Sequence, residues 1–219
     1  LGLFGAVFLW YWMIPASNDR QWQPDVARVV SVDINGDIAT IHNIRDFRYR
    51  SETDYDESWE TRTYDLSTLS TVDLCFSYWG PRDIAHTMLS FGFENGDYLV
   101  VSVEARKEVG EAYDPLKSAF KQFELIYLLG DERDLLALRT NTRLEDTYMF
   151  PLDFIPEHRR ALLVDILRSA DALGRHPRYY ATIAGNCTTT LLRHINKVSA
   201  RPVKFSFKLL LNGYIPELA

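Results

Sequence analysis

Two stretches of this 219-residue chain carry residues whose types and spacing suit covalent chemistry. Asn186-Cys187-Thr188-Thr189-Thr190-Leu191-Leu192 reads as the start of a helix with a cysteine in its first turn. A thiol at that position feels the positive end of the helix dipole, which favours its thiolate. An ordinary thiol is only about 3% ionised at neutral pH, so this placement matters. Asn186 is a good N-cap residue, and the free N–H groups behind it suit an oxyanion. His86 sits in Ile84-Ala85-His86-Thr87-Met88-Leu89-Ser90-Phe91, which reads as a strand. A histidine on a strand beside that helix has the chemistry to deprotonate the thiol.

The third polar group comes from the next strand, residues 98–106. Matching apolar to apolar across the Asn95-Gly96 turn pairs Phe91 with Val101 and Leu89 with Val103. That register puts Glu104 on the face of His86 and diagonally adjacent to it. A carboxylate there orients an imidazole and stabilises its charged form. Against this stands the plainer reading that Cys187 is a small buried residue, His86 a core histidine and Glu104 a partner for Arg62 or Arg106. His42, His158 and His176 carry no such pattern. His194 lies two helical turns beyond Cys187, about 10 Å along the axis, too far to act as its base.

The elements that must position these groups follow from the rest of the pattern. Asn35-Gly36 joins strands at residues 26–34 and 37–44 as a hairpin, and residues 45–60 read as a long charged loop. Strands are expected at residues 61–66, 72–79 and 122–129, with a break at Gly80-Pro81 before the histidine strand. Asp131 caps a helix running to about Thr140. Pro156 opens a helix whose apolar Leu162, Leu163, Ile166, Leu167 and Ala170 recur at helical spacing as far as Leu173. A last helix covers residues 186–198. Strands followed by helices make an α+β domain, with an antiparallel sheet and the cysteine helix packed on one face.

Composition narrows the function classes. A net charge of -6 argues against non-specific nucleic-acid binding. Two cysteines, Cys75 and Cys187, without a Cys-x-x-Cys pair, argue against structural zinc. An inert Cys75 and an unbridged Cys187 are expected. No P-loop, Gly-x-Ser-x-Gly elbow or His-Glu-x-x-His is present, and no metal or cofactor is expected. Residues 1–15 contain no charge and end in an aromatic cluster, Trp10-Tyr11-Trp12. They read as the end of a transmembrane or membrane-proximal segment. Residues 16–25 follow as a linker and residues 26–219 as the single domain.

Several blocks together resemble one family. They are Tyr78-Trp79, His86 to Phe93, Ser102-Val103-Glu104-Ala105-Arg106-Lys107-Glu108, Tyr127-Leu128-Leu129-Gly130-Asp131-Glu132-Arg133-Asp134, Tyr179-Tyr180 and Asn186-Cys187-Thr188-Thr189. The family is that of the Lnb N-terminal periplasmic domain, long listed as a domain of unknown function and named after a bacterial lipoprotein N-acyltransferase. The resemblance implies a domain attached to the bacterial inner membrane and facing the periplasm, with membrane lipid or lipoprotein as partner. The order His then Cys also resembles the circularly permuted papain-like enzymes. On that analogy the fold is permuted papain-like, Cys187 is the nucleophile, His86 the base and Glu104 the third member. The activity implied is an acyltransferase or hydrolase acting on esters or amides. A cell-envelope peptidase or amidase with the same residues, and a non-enzymatic envelope module, remain as alternatives.

Overall fold

The computed structural model describes residues 2–80, 84–114, 117–181, 185–200 and 202, with the side chains of Leu3 and Ala119 left aside. The break at Pro81, the residues just before Ile84, and the end of the domain beyond residue 202 lie outside the described residues.

Helix α1 (Gly2–Met13) precedes strands β1 (Ser31–Asn35), β2 (Ile38–Arg45), β3 (Arg48–Tyr49), β4 (Tyr55–Asp56) and β5 (Trp59–Asp65). Then come β6 (Leu69–Tyr78), β7 (His86–Phe93), β8 (Tyr98–Arg106) and β9 (Glu124–Gly130). Helix α2 (Glu132–Ala137) runs into a π-helical turn at Leu138–Thr142, followed by β10 (Asp146–Pro151), α3 (Pro156–Arg175) and α4 (Cys187–Val198). The chain is α+β, as its pattern predicts. Eight strands form one sheet in the order β1-β2-β9-β8-β7-β6-β10, with β5 on β2. All the pairings are antiparallel except a short parallel contact where Arg45 meets Gly130. A Cβ on Gly130 would stand 2.8 Å from the Arg45 carbonyl oxygen, so the close approach there needs glycine.

Alternation along β7 divides the core in two. Leu89, Phe91 and Phe93 face α3 and α4, in a cluster with Leu163, Ile166, Leu167 and Leu191. Met88 faces the other way, with Cys75, Val100, Ile126, Leu128 and Leu135. The apolar stripe of α3 that the sequence shows is the buried stripe of the structure. At α4 the Asn186 side chain accepts from the Thr189 N–H at 2.8 Å, and Thr189 Oγ1 accepts from the Asn186 N–H at 3.1 Å. This reciprocal cap satisfies two otherwise orphan donors and fixes where α4 begins.

Two local expectations are corrected, and one strand, β10, was not expected. The β7–β8 register pairs Phe91 with Leu99 and Leu89 with Val101, not Val101 and Val103. Apolar still meets apolar, and the turn is tighter: Phe93 N–H bonds the Asp97 carbonyl at 2.9 Å around Glu94-Asn95-Gly96, with Gly96 at φ 85°. Gly92 lies opposite Tyr98, whose ring covers the space a Cβ would take. The segment expected as a loop at residues 45–60 folds into the β3–β4 hairpin, clasped by Phe47 stacked on Tyr55 and edge-on to Trp59. The edge strand β10 lacks an alternating apolar pattern, because most of its residues are exposed or half-exposed.

Candidate active site

Cys187 is the first residue of α4, and His86 is the first residue of β7. Helix α4 packs on β7 through a hydrogen bond of 2.8 Å between Thr87 and Thr188. His86 turns to the opposite face, with Met88. Each is the first residue of its element, and the His86 imidazole and the Thr87 N–H both act to stabilise the Cys187 thiolate. Both side chains line a cleft of about 510 Å³. Both cysteines are free.

Continuing the β7–β8 register past Met88 and Ser102 sets Glu104 directly across from His86. His86 Nε2 stands 3.0 Å from Glu104 Oε1 and 2.6 Å from Ser102 Oγ. Ser102 donates to the same Glu104 oxygen at 2.7 Å. Arg139, buried on the π-helical turn, donates to it at 3.2 Å and to Glu145 Oε2 at 3.3 Å. Glu145 also accepts from Ser77 Oγ at 2.6 Å, and Ser77 pairs with His86 across β6 and β7. Glu104 is thus held from two sides, by a serine beside it and a guanidinium behind it.

The electrostatics follow from this arrangement. Burial, the largest single influence, pushes the His86 imidazole down, but the Glu104 carboxylate and the Cys187 sulfur together outweigh it and hold it up at about 9. Burial would raise Glu104, yet His86, Arg139 and Ser102 keep it well below the usual carboxylate range. Burial would also raise Cys187; the His86 charge and the Thr87 N–H reverse that and bring the thiol below its ordinary value. These directions favour a thiolate beside an imidazolium. Cys75 shows the contrast: buried among apolar groups beside Asp73, it is pushed up to about 12.

Sequence reasoning singled out Cys187, His86, Glu104 and Asn186, and these lie together. It missed Ser102, Ser77, Arg139 and Glu145. Ser102 was visible in principle, two residues from Glu104 on the same strand face. Arg139 and Glu145 were not, because their approach depends on a π-helical turn, a feature frequent at functional sites but without a sequence period. The structure also gives the first N–H of α4 a partner. The buried Tyr180 phenol, raised well above its ordinary value by burial, accepts from the Cys187 N–H. Cleft walls of different character flank the thiol: Trp79, Tyr113 and Leu144 are apolar and exposed, while Lys107, Arg143 and Glu52 are charged.

An α+β domain with a cysteine helix over its sheet and a His–Glu–Arg chain, half-buried at its glutamate, beside the thiol defines a class, and sequence comparison now places it. The model of the family described as the Lnb N-terminal periplasmic domain matches residues 55–213, and the chain belongs to that family. It is therefore an extracytoplasmic, envelope-associated protein. Among curated proteins and among solved structures, nothing matches.

Proposed function

We propose that this protein is a thiol-dependent acyltransferase or hydrolase of the bacterial inner membrane, its domain facing the periplasm. Cys187 is the nucleophile, His86 its acid and base, and Glu104 the group that orients and charges the imidazole. The observation that carries this reading is His86 Nε2 3.0 Å from Glu104 Oε1, in a cleft that Cys187 also lines.

The thiolate attacks an ester or amide carbonyl, and a carbon–sulfur bond forms as the tetrahedral intermediate develops. Imidazolium gives its proton to the leaving alcohol or amine as the carbon–oxygen or carbon–nitrogen bond breaks. The neutral imidazole then takes a proton from the incoming amine or water, which releases the acyl group and restores the thiolate. The resemblance to permuted papain-like enzymes supports the same roles, since there too the histidine strand precedes the cysteine helix.

The aromatic and leucine wall of the cleft suits an acyl chain, and the charged wall suits the polar end of a lipid or lipoprotein. Helix α1 supports membrane attachment. It has no charged residue, and Phe4, Phe8, Leu9, Trp10 and Trp12 are exposed. No helix among the described residues is long and apolar enough to cross a membrane. Intact-mass analysis after incubation with phospholipid tests the reading. An acyl adduct on Cys187, absent from Cys187→Ala, is expected; a wild-type protein that never acquires one overturns it.

A further inference from the structure

The foot of α1 is bonded to the domain at several points. The Lys121 ammonium donates to the Tyr11, Trp12 and Ile14 carbonyls at 3.0, 3.0 and 3.2 Å. It also lies over the rings of Tyr11, Trp12 and Tyr179. Those carbonyls are ones that a helix end leaves without partners, and the cation meets the negative end of the helix dipole. Lys121 holds this place at φ 54°, a strained conformation for a residue with a Cβ. The Tyr179 hydroxyl donates to the Pro15 carbonyl at 2.8 Å, and the Asn18 amide donates to the Leu173 carbonyl at 2.7 Å, at the end of α3.

Apolar side chains cover every face of α1. At 3.6 residues per turn, Phe4, Phe8 and Trp12 share one face, Leu9 and Met13 a second, and Val7 and Trp10 a third. All seven are more than half exposed. A second copy or a protein groove covers one stripe of a helix, whereas lipid covers all sides, so a helix apolar all round suits lipid. It is about 18 Å long, more than one leaflet of a hydrocarbon core about 30 Å thick. Trp10, Tyr11, Trp12 and Lys121 at its foot are the side chains that settle at headgroup level.

The segment that clasps α1 also builds one wall of the Cys187 cleft. Phe123 follows Lys121 by two residues, so their Cα atoms are at most about 7 Å apart. The Phe123 ring stacks on Tyr113 at 5.8 Å, and its carbonyl accepts from the Tyr180 N–H at 2.9 Å. Tyr113 and Tyr180 both line the cleft. Next to the clasp Phe120 is 70% exposed, and Val109, 64% exposed, bonds the Gln21 carbonyl through its N–H at 2.7 Å. Large apolar side chains exposed at the foot of an apolar helix extend its lipid-facing surface.

We propose that Phe120, Val109 and the Lys121 clasp form a second contact with the lipid bilayer, at headgroup level, which fixes the tilt of the domain and turns the Tyr113 wall of the Cys187 cleft toward the leaflet that α1 enters. The proposal rests on the membrane attachment proposed above and not on chemistry at Cys187.

The test is depth-dependent quenching in the full chain carrying Cys187→Ala, where the remaining Cys75 is buried. Single cysteines at Phe120→Cys, Tyr113→Cys and Ile38→Cys are labelled with a nitrobenzoxadiazole fluorophore. The protein is then bound to phosphatidylethanolamine–phosphatidylglycerol vesicles whose acyl chains carry nitroxide near the headgroup. Ile38 is the control. Its neighbour Asp37 pairs with Arg160 near the start of α3, about 20 Å along that helix from Leu173. The label at residue 120 is quenched at least fivefold more than the label at residue 38, and the label at residue 113 falls between them. Adding Lys121→Met to Phe120→Cys leaves sedimentation with vesicles intact, because α1 is unchanged, yet lowers the quenching several-fold. Vesicle-bound protein quenched no more at residue 120 than at residue 38 overturns the proposal and leaves attachment by α1 standing. Undiminished quenching in Lys121→Met overturns the role of the clasp. Protein that does not bind vesicles at all overturns the attachment and the proposal together.

Discussion

His86 and Arg139 approach the same oxygen of Glu104, the imidazole at 3.0 Å and the guanidinium at 3.2 Å. One carboxylate oxygen thus faces two cationic groups and the Ser102 hydroxyl. Arg139 stabilises the ionised carboxylate, and the ionised carboxylate stabilises the imidazolium. The same guanidinium repels the imidazolium directly, an opposing effect smaller than that of Glu104. Arg139 therefore adds to His86 itself and Ser102 in keeping Glu104 ionised and, through it, supports the proton affinity of His86.

Glu104→Gln keeps the shape and removes the charge. Acyl transfer should fall about 10- to 100-fold, within the range for loss of acid–base assistance, with folding retained. Arg139→Met should weaken activity less in kcat, and should shift the acidic limb of the pH–rate profile because Glu104 ionises less readily. An unchanged profile in Arg139→Met would assign that residue to packing alone.

The His86–Glu104 pair makes stability depend on pH in a defined direction. Its imidazole is raised from an ordinary 6.5 to about 9 in the folded protein. The native state therefore holds that proton more tightly than the unfolded chain. The stabilisation is complete below about pH 6.5 and is lost as pH rises through about 9. In Cys187→Ala, which removes the opposing titration of the thiol, Tm should fall between pH 6.5 and 9.5. The fall should be smaller in Cys187→Ala/Glu104→Gln. Equal pH slopes in the two proteins would show that the pair does not carry the effect.

Asn186→Ala removes the reciprocal cap of α4. Loss of such a cap costs about 1 kcal/mol, typically within 0.5–2 kcal/mol. Chemical denaturation should show that loss without a change in m. Alkylation of Cys187 should also slow, because the frayed first turn no longer holds the thiol against the Thr87 N–H. A stability loss with unchanged thiol reactivity would separate the cap from the site.

The strand and helix pattern was legible wherever one face is buried. Alternation marked β7 and β8, and the 3.6-residue period marked α3, because the core selects for both. The choice of Asn186 as cap rested on local backbone chemistry, which the sequence states directly. The register was less legible: Leu89 finds an apolar partner in Val101 or Val103 alike, so pattern matching could not separate two registers that differ by two residues. Both keep Glu104 on the face of His86, which is why the pairing emerged from an incorrect register. Arg139 and Glu145 arrive from a π-helical turn and from the residue just before the edge strand β10, where no periodic burial constrains the sequence.

The central claim is that His86 lowers the proton affinity of Cys187, and alkylation against pH tests it most directly. Iodoacetamide reacts with thiolate, so the rate reports ionisation. In wild type, Cys187 should react at lower pH than an ordinary thiol and long before Cys75, which is held up at about 12. In His86→Ala the Cys187 profile should move to higher pH, with the Cys75 profile unchanged. A Cys187 profile that is the same with and without His86 would contradict the account.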